Sequence, residues 1–211
     1  MKTNELLTQY AAGERQFEGS DLQGLSLYRA ELENIVLKQA NLIGANFSGS
    51  NLAGADLRQA NLVGANFSGA NLRSVDLRGA TLIGANLGGA KLSKANLIGI
   101  ILNDANLSGA NLDETNLSHA SLSGANLAGA VMSKAQLQSA DISGANFSHT
   151  SLIEADLSHA NAQRTNLAGS NLVNAILQHA VLTNSNMKGA NLQSTDFTDA
   201  NLSGVSLPET D

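Results

Sequence analysis

The sequence predicts an all-β solenoid, a coil of five-residue units with four units to the turn. Three observations predict it. From Leu22 to Leu207 every fifth residue is apolar, 38 positions without an insertion or deletion, and all but Ala162 are Leu, Ile, Phe or Met. Two residues earlier stands a small or apolar residue, Ala in 25 of the 38 units, and between the two stands Asn or Asp, again in 25. Glycine fills the last place of 17 units, and unevenly. Seven follow the Leu22, Leu42, Leu62 series and seven the Leu27, Phe47, Phe67 series, against one and two in the other series. The short period sets the unit, A-(N/D)-L-x-x, and the uneven glycines set a cycle of 20 residues.

Other architectures fail on the same arithmetic. A straight α-helix would scatter residues spaced by five around its circumference. In a plain strand the odd period would send successive apolar side chains to opposite faces. A membrane span needs about 20 nearly continuous apolar residues, and no such run occurs. What remains is a coil in which each unit makes one short side and turns a corner, its Leu and its small residue pointing inward. The composition agrees, for 43% of the 211 residues are hydrophobic but only 3% are aromatic. Repetition, rather than a bulky globular centre, accounts for such a core. Glycine at a fixed corner predicts positive φ and a type II turn. Two adjacent corners are therefore expected to use glycine turns and the other two not.

Residues 1–14 form the first element, an N-terminal helical cap. Residues 3–12 read as a short helix with Thr3 or Asn4 as its cap, Leu6, Leu7 and Tyr10 on one face, and Gly13 as its stop. That face is expected to lid the first coil. Residues 15–209 form the repeat β-helix, and 210–211 a C-terminal tail. No second helix is expected beyond Leu207. Leu192, Phe197, Leu202 and Leu207 then face an open coil mouth with unpaired strand edges, and a homodimer through this uncapped end is expected. Residues 20 apart stack, so Phe47 lies on Phe67. Ala162 is a weak core position between Ile142 and Leu182, where mild loosening is expected.

The repeat resembles the pentapeptide-repeat family over about residues 15–209. The resemblance implies a right-handed quadrilateral β-helix of about 9.5 coils, a rod ~46 Å long at ~4.8 Å per coil. Stability in such a rod is nearly a sum of neighbour terms. The segment from Tyr10 to Phe17 resembles the leader of cyanobacterial members. Those include a regulator of heterocyst differentiation thought to act by binding other proteins. The resemblance thus implies a non-enzymatic protein–protein interaction rod with a regulatory role. Some members instead mimic duplex DNA, bind DNA gyrase and protect it from quinolones. That is the alternative function, although those members rely on an acidic surface.

Charge is where this chain departs from such a mimic. The net charge of -6 is uneven. Residues 37–103 hold Lys38, Arg58, Arg73, Arg78, Lys91 and Lys94 against Asp56 and Asp76, whereas residues 104–211 hold ten acids against three bases. Lys38, Arg58 and Arg78 fall in one outward column beside Asp56 and Asp76. They read either as members of cross-coil ion pairs, worth little at a surface, or as a docking stripe for an acidic partner. Ile43, Val63 and Ile83 form an apolar column, as do Ile153 and Val173. These read as packing between β-branched neighbours or as a contact site. The unbroken series from Asn46 to Asn186 reads as turn acceptors or as an amide ladder able to receive a partner.

No catalytic constellation is present. The glycines never form a phosphate loop, and the absence of Cys excludes a disulfide scaffold, a thiolate metal site and a cysteine nucleophile. His119, His159 and His179 share a corner column and are expected to be solvated there, with no carboxylate beside them, while His149 stands apart. Asp56, Asp76 and Asp156 occupy the Asn place and read as turn acceptors. No metal or cofactor is expected, and no direct nucleic-acid binding, because the chain is acidic overall and lacks an aromatic stacking set. Leu6 and Leu7 are too short a run for a signal peptide, so a cytoplasmic protein without membrane contact is expected.

Overall fold

The computed structural model describes residues 1–208; residue 209 and the predicted tail, 210–211, lie outside the described residues. Helix α1 spans Thr3–Ala11, and its N-cap is Lys2 rather than Thr3 or Asn4. Glu5 accounts for the earlier start. It accepts the Lys2 N–H at 3.4 Å and places an acid in the first turn, where the helix dipole favours one. Leu6 is fully buried, and Leu7 and Tyr10 pack partly buried against the same core. The cap also meets the polar edge of the first coil. The Tyr10 hydroxyl donates to the Glu33 carbonyl at 2.9 Å and the Met1 ammonium to the Asp21 carbonyl at 3.3 Å. The Glu14 carboxylate accepts the Gln16 N–H at 2.6 Å.

From Gln16 onward, parallel bridges join each residue of the Asn place to the one 20 residues later, from Gln16–Val36 to Asn186–Ser206. Twenty is four units of five. Each bridge is a single residue wide, so a unit pairs at one place and then turns. One unit shows how the backbone is satisfied. Ala45 N–H closes the preceding turn on the Leu42 carbonyl at 3.0 Å, and Asn46 N–H reaches Leu25 at 2.8 Å on one neighbouring coil. Phe47 and Gly49 N–H reach Asn66 and Ser68 at 2.7 and 2.9 Å on the other. Only the Ser48 N–H is left, and the Asn46 side-chain oxygen takes it at 3.0 Å. The Asn/Asp consensus thus has a physical cause, because a backbone donor inside a stack needs a partner and these side chains reach two residues ahead.

The corners overturn one expectation. All 38 last places from Gly19 to Gly204 have positive φ, 18 of them Gly and 20 not, with values such as 53° at Arg29 and 58° at His159. With positive φ at that place and the closing bond (Ser20 N–H to the Phe17 carbonyl at 3.3 Å), every corner matches a type II turn. The left-handed conformation costs an ordinary residue about 1–2 kcal/mol. Ladders above and below hold it there regardless. Glycine therefore marks where no side chain projects, not where φ is positive.

Leu and Ala fill the interior, and the Phe47 and Phe67 rings stack with centroids 4.9 Å apart and planes 1° from parallel. Ala162 is fully buried, and the ladder passes it unbroken, its N–H donating to Val181 at 2.7 Å. Most polar residues at the small place turn their hydroxyls to the backbone, as when Thr165 donates to the Ile142 carbonyl at 2.8 Å, while the buried Ser185 hydroxyl has no partner among the described residues. The far end differs. Leu192 and Phe197 are half-buried, Leu202 is 37% exposed and Leu207 53%. Among the described residues no partner receives the N–H of Phe197 or Leu202.

Candidate interaction surface

Lys38, Arg58 and Arg78 lie 20 residues apart in one column, directly after Glu18. Their ion pairs are mostly not the cross-coil ones expected. Arg58 donates Nε and Nη2 to Asp56 at 2.8 and 2.5 Å, and Arg78 donates the same pair to Asp76 at 2.9 and 2.6 Å. Residues two apart in an extended segment point the same way, so each guanidinium finds its carboxylate within its own unit. Between coils, Lys38 Nζ meets Glu18 at 2.8 Å and Arg58 Nε stands 3.8 Å from Asp76. The Arg58 hydrogen bond holds the Asp56 carboxyl below the usual range against its partial desolvation. Arg58 and Arg78 hold their protons more firmly than usual, chiefly through the side-chain bonds to Asp56 and Asp76.

Sequence reasoning missed Gln59. Together with Lys38, Arg58 and Arg78 it lines an open cleft of about 240 Å³. Its Oε1 accepts Gln39 Nε2 at 2.9 Å. A neutral amide on the corner carries no pattern of its own, and only the interval of 20 from Gln39 links the two.

Ile43 and Val63 are half-buried, and Ile83 is 40% exposed. This column begins five residues after the basic one, across the corner carrying Gln39, Gln59 and Gly79. Ile153 and Val173 are half-buried in a different column, whereas Ile101, Val131 and Ile176, which occupy the Asn place, are exposed.

The Asn46 series is both a set of turn acceptors and a ladder. Each oxygen from Asn46 to Asn186 takes the N–H two residues on. From Asn86 to Asn186 each amide also donates to the Asn 20 residues before it, at 3.1–3.4 Å. The half-buried series is bordered by glycine corners such as Gly64, Gly69, Gly84 and Gly89. Asp56, Asp76 and Asp156 act as turn acceptors in the same way, Asp156 for the Ser158 N–H at 2.9 Å.

His159 and His179 stack with centroids 4.8 Å apart. A carboxylate does stand in that column, contrary to expectation: Asp199, the next residue along, lies 3.7 Å from His179 Nδ1. His119 and His149 are exposed. Among the described residues no group of three or more His, Asp or Glu is arranged to hold a metal ion, and no helix is long and apolar enough to cross a membrane. A further column alternates in sign, with Lys94–Glu114 and Lys134–Glu154 each at 3.8 Å.

A family model for pentapeptide repeats matches in eight copies that together run from residue 40 to 211. Among solved structures, the chain is similar to HetL, a pentapeptide repeat protein involved in heterocyst differentiation regulation from the cyanobacterium Nostoc sp. strain PCC 7120. The two are 33% identical over 100% of this chain and 99% of that one, with a TM-score of 0.55. It is also similar to alr5209, a pentapeptide repeat protein of Nostoc Pcc 7120, at 38% identity over 47% of this chain and 80% of that one, TM-score 0.34. A third likeness is to QnrB1, a plasmid-mediated fluoroquinolone resistance protein, at 19% identity over 90% of each chain, TM-score 0.38. No curated protein matches the chain. Repeat pattern, 20-residue pairing and family model agree, and the chain belongs to the pentapeptide-repeat family.

Proposed function

We propose that the protein is a non-enzymatic interaction rod, a right-handed, four-sided coil of about 9.5 turns at ~4.8 Å each, that regulates by binding another protein in the cytoplasm of a cyanobacterium. One observation carries the reading. The basic column Lys38, Arg58, Arg78 and the apolar column Ile43, Val63, Ile83 occupy the same stretch of the rod on either side of one corner, so a single partner with acidic and apolar groups covers both. The full-length similarity to HetL supports a regulatory role of this kind. Binding through a repeat surface needs no loop and no shifted catalytic group, whereas acid–base chemistry needs a site that perturbs a pKa.

The test is affinity capture from the native cell with wild-type protein and with Lys38→Glu/Arg58→Glu/Arg78→Glu. Loss of one partner by the variant, with circular dichroism unchanged, is the expected result; retention of every partner ends the proposal. We also propose a homodimer through Leu192, Phe197, Leu202 and Leu207, since an exposed apolar rim and backbone donors without a partner among the described residues favour a second copy. Light scattering at high concentration that gives only the monomer mass counts against it.

A further inference from the structure

We propose that the cleft between Lys38, Arg58, Gln59 and Arg78 is a phosphoryl-binding site, occupied by inorganic phosphate or by a phosphate carried on a partner. The second source rests on the interaction-rod reading; the site itself does not.

The four side chains that line the cleft present donors. Asp56 and Asp76 take the Nε and Nη2 groups of the two arginines, so each fork is held in place with its Nη1 unengaged by that carboxylate. Lys38 gives one hydrogen bond to Glu18 and has two more N–H groups. Gln59 has its oxygen occupied by Gln39, which leaves its amide hydrogens for the cleft. Such a cleft suits an acceptor-only ligand.

The number and spacing of the remaining donors select a phosphoryl group over a carboxylate. Arg58 and Arg78 stand on successive coils, about 4.8 Å apart. One fork saturates one carboxylate. The two Nη1 groups, an ammonium and an amide suit three terminal oxygens that share a charge of about -1.5 to -2. The guanidinium is also the cation whose planar donors match phosphate. Residues 37–103 contain no acids besides Asp56 and Asp76, and both of these are already engaged. The remaining competitor is Glu18, whose pair with Lys38 is 48% and 32% exposed and therefore easily exchanged.

The experiment is calorimetric titration of the full chain with sodium phosphate at low ionic strength, with sodium acetate as comparator. Saturable phosphate binding is expected, at least tenfold tighter than acetate. Arg58→Ala/Arg78→Ala should weaken it at least tenfold. Arg58→Lys/Arg78→Lys, which keeps the charge and loses the Nη1 donors, should weaken it several-fold. Arg73→Ala, in the same basic stretch but another column, should leave it unchanged, and circular dichroism checks the fold of each variant. A peptide bearing phosphoserine, set against its serine and glutamate forms, separates the two sources. Binding of the phosphoserine form alone assigns a partner-borne phosphate, and binding of none of the peptides with phosphate retained assigns the free ion. Absence of saturable phosphate binding, affinity no better than acetate, an equal loss in Arg73→Ala, or a glutamate peptide that binds as well as the phosphoserine one overturns the proposal. If phosphate fails to bind while the charge-reversed variant still loses its protein partner, the interaction reading stands and only the phosphoryl site falls.

Discussion

The two ends of the rod are built from the same units and are finished differently. At the N-terminal end α1 sets Leu6 into the core, and three polar groups (the Tyr10 hydroxyl, the Met1 ammonium and the Glu14 carboxylate) engage the edge of the first coil. At the other end Leu202 and Leu207 are exposed and half the apolar rim is only partly covered. A coil interior is satisfied by its neighbours, so an end must find other partners or remain a contact surface. The difference shows that closure of the N-terminal end, unlike propagation, is written outside the repeat.

Four measurements break or sharpen this contrast. The largest effect is expected at the cap. Leu6→Ala should cost about 2–4 kcal/mol, as for other fully buried leucines, while Leu202→Ala at the open end should cost below about 1 kcal/mol because its site is already wet. Urea denaturation of both variants compares them, and equal losses would remove the distinction between the ends.

Next comes the polar ladder. Asn106 donates to Asn86, accepts from Asn126, and takes the Ser108 N–H. Asn106→Ala should therefore cost about 1–2 kcal/mol, mostly by stranding a half-buried donor. Asn201 is exposed and engages Ser203 within its own unit, so Asn201→Ala should cost only about a third as much. Parity between the two would mean that the stacked amides add nothing.

Leu202→Asp/Leu207→Asp addresses the open rim. Stability should move by no more than about 0.5 kcal/mol, and the proposed self-association, read by light scattering, should be absent in the variant. A large loss of stability would instead make this rim part of the core.

The smallest effect is acid sensitivity, and it occurs at both ends. Glu14 is held below its ordinary value of 4.5 by the Gln16 and Arg15 N–H groups. Asp196 is held below 3.8 by the Thr198 hydroxyl, the Gln178 amide and the Thr198 N–H. Because both folded values are depressed, their stabilisation is complete above the unfolded values and is lost as pH falls through the folded ones. Amide protection factors at the two ends, corrected for the intrinsic exchange rate at each pH and followed from pH 5 downward, should fall on acidification, and Glu14→Gln and Asp196→Asn should each flatten the response at its own end.

Much of this was legible beforehand, because an uninterrupted period leaves little choice of fold. The inward Leu and Ala, the cycle of 20 and the stacked Phe47 and Phe67 follow from counting. The corners were misjudged since glycine frequency mixes two causes, backbone conformation and the bareness of a surface, and here only the second varies around the coil. The Lys38–Arg58–Arg78 column was visible, but its carboxylates sit within the same unit, a matter of side-chain reach that counting does not supply. Asp199 lies one interval beyond His179 and was within reach of the same arithmetic. Gln59 was not, since its significance arises only from the cleft around it.

The uniform corner has an evolutionary consequence. Arginine, histidine, glutamate and lysine all sit there in the conformation that glycine would choose, because adjacent layers dictate the backbone. Among residues other than glycine, identity at these sites is thus largely uncoupled from folding. Selection can rewrite the projecting chemistry one storey at a time, and lineages with the same scaffold can diverge in what they recognise while sharing almost all of what holds them upright.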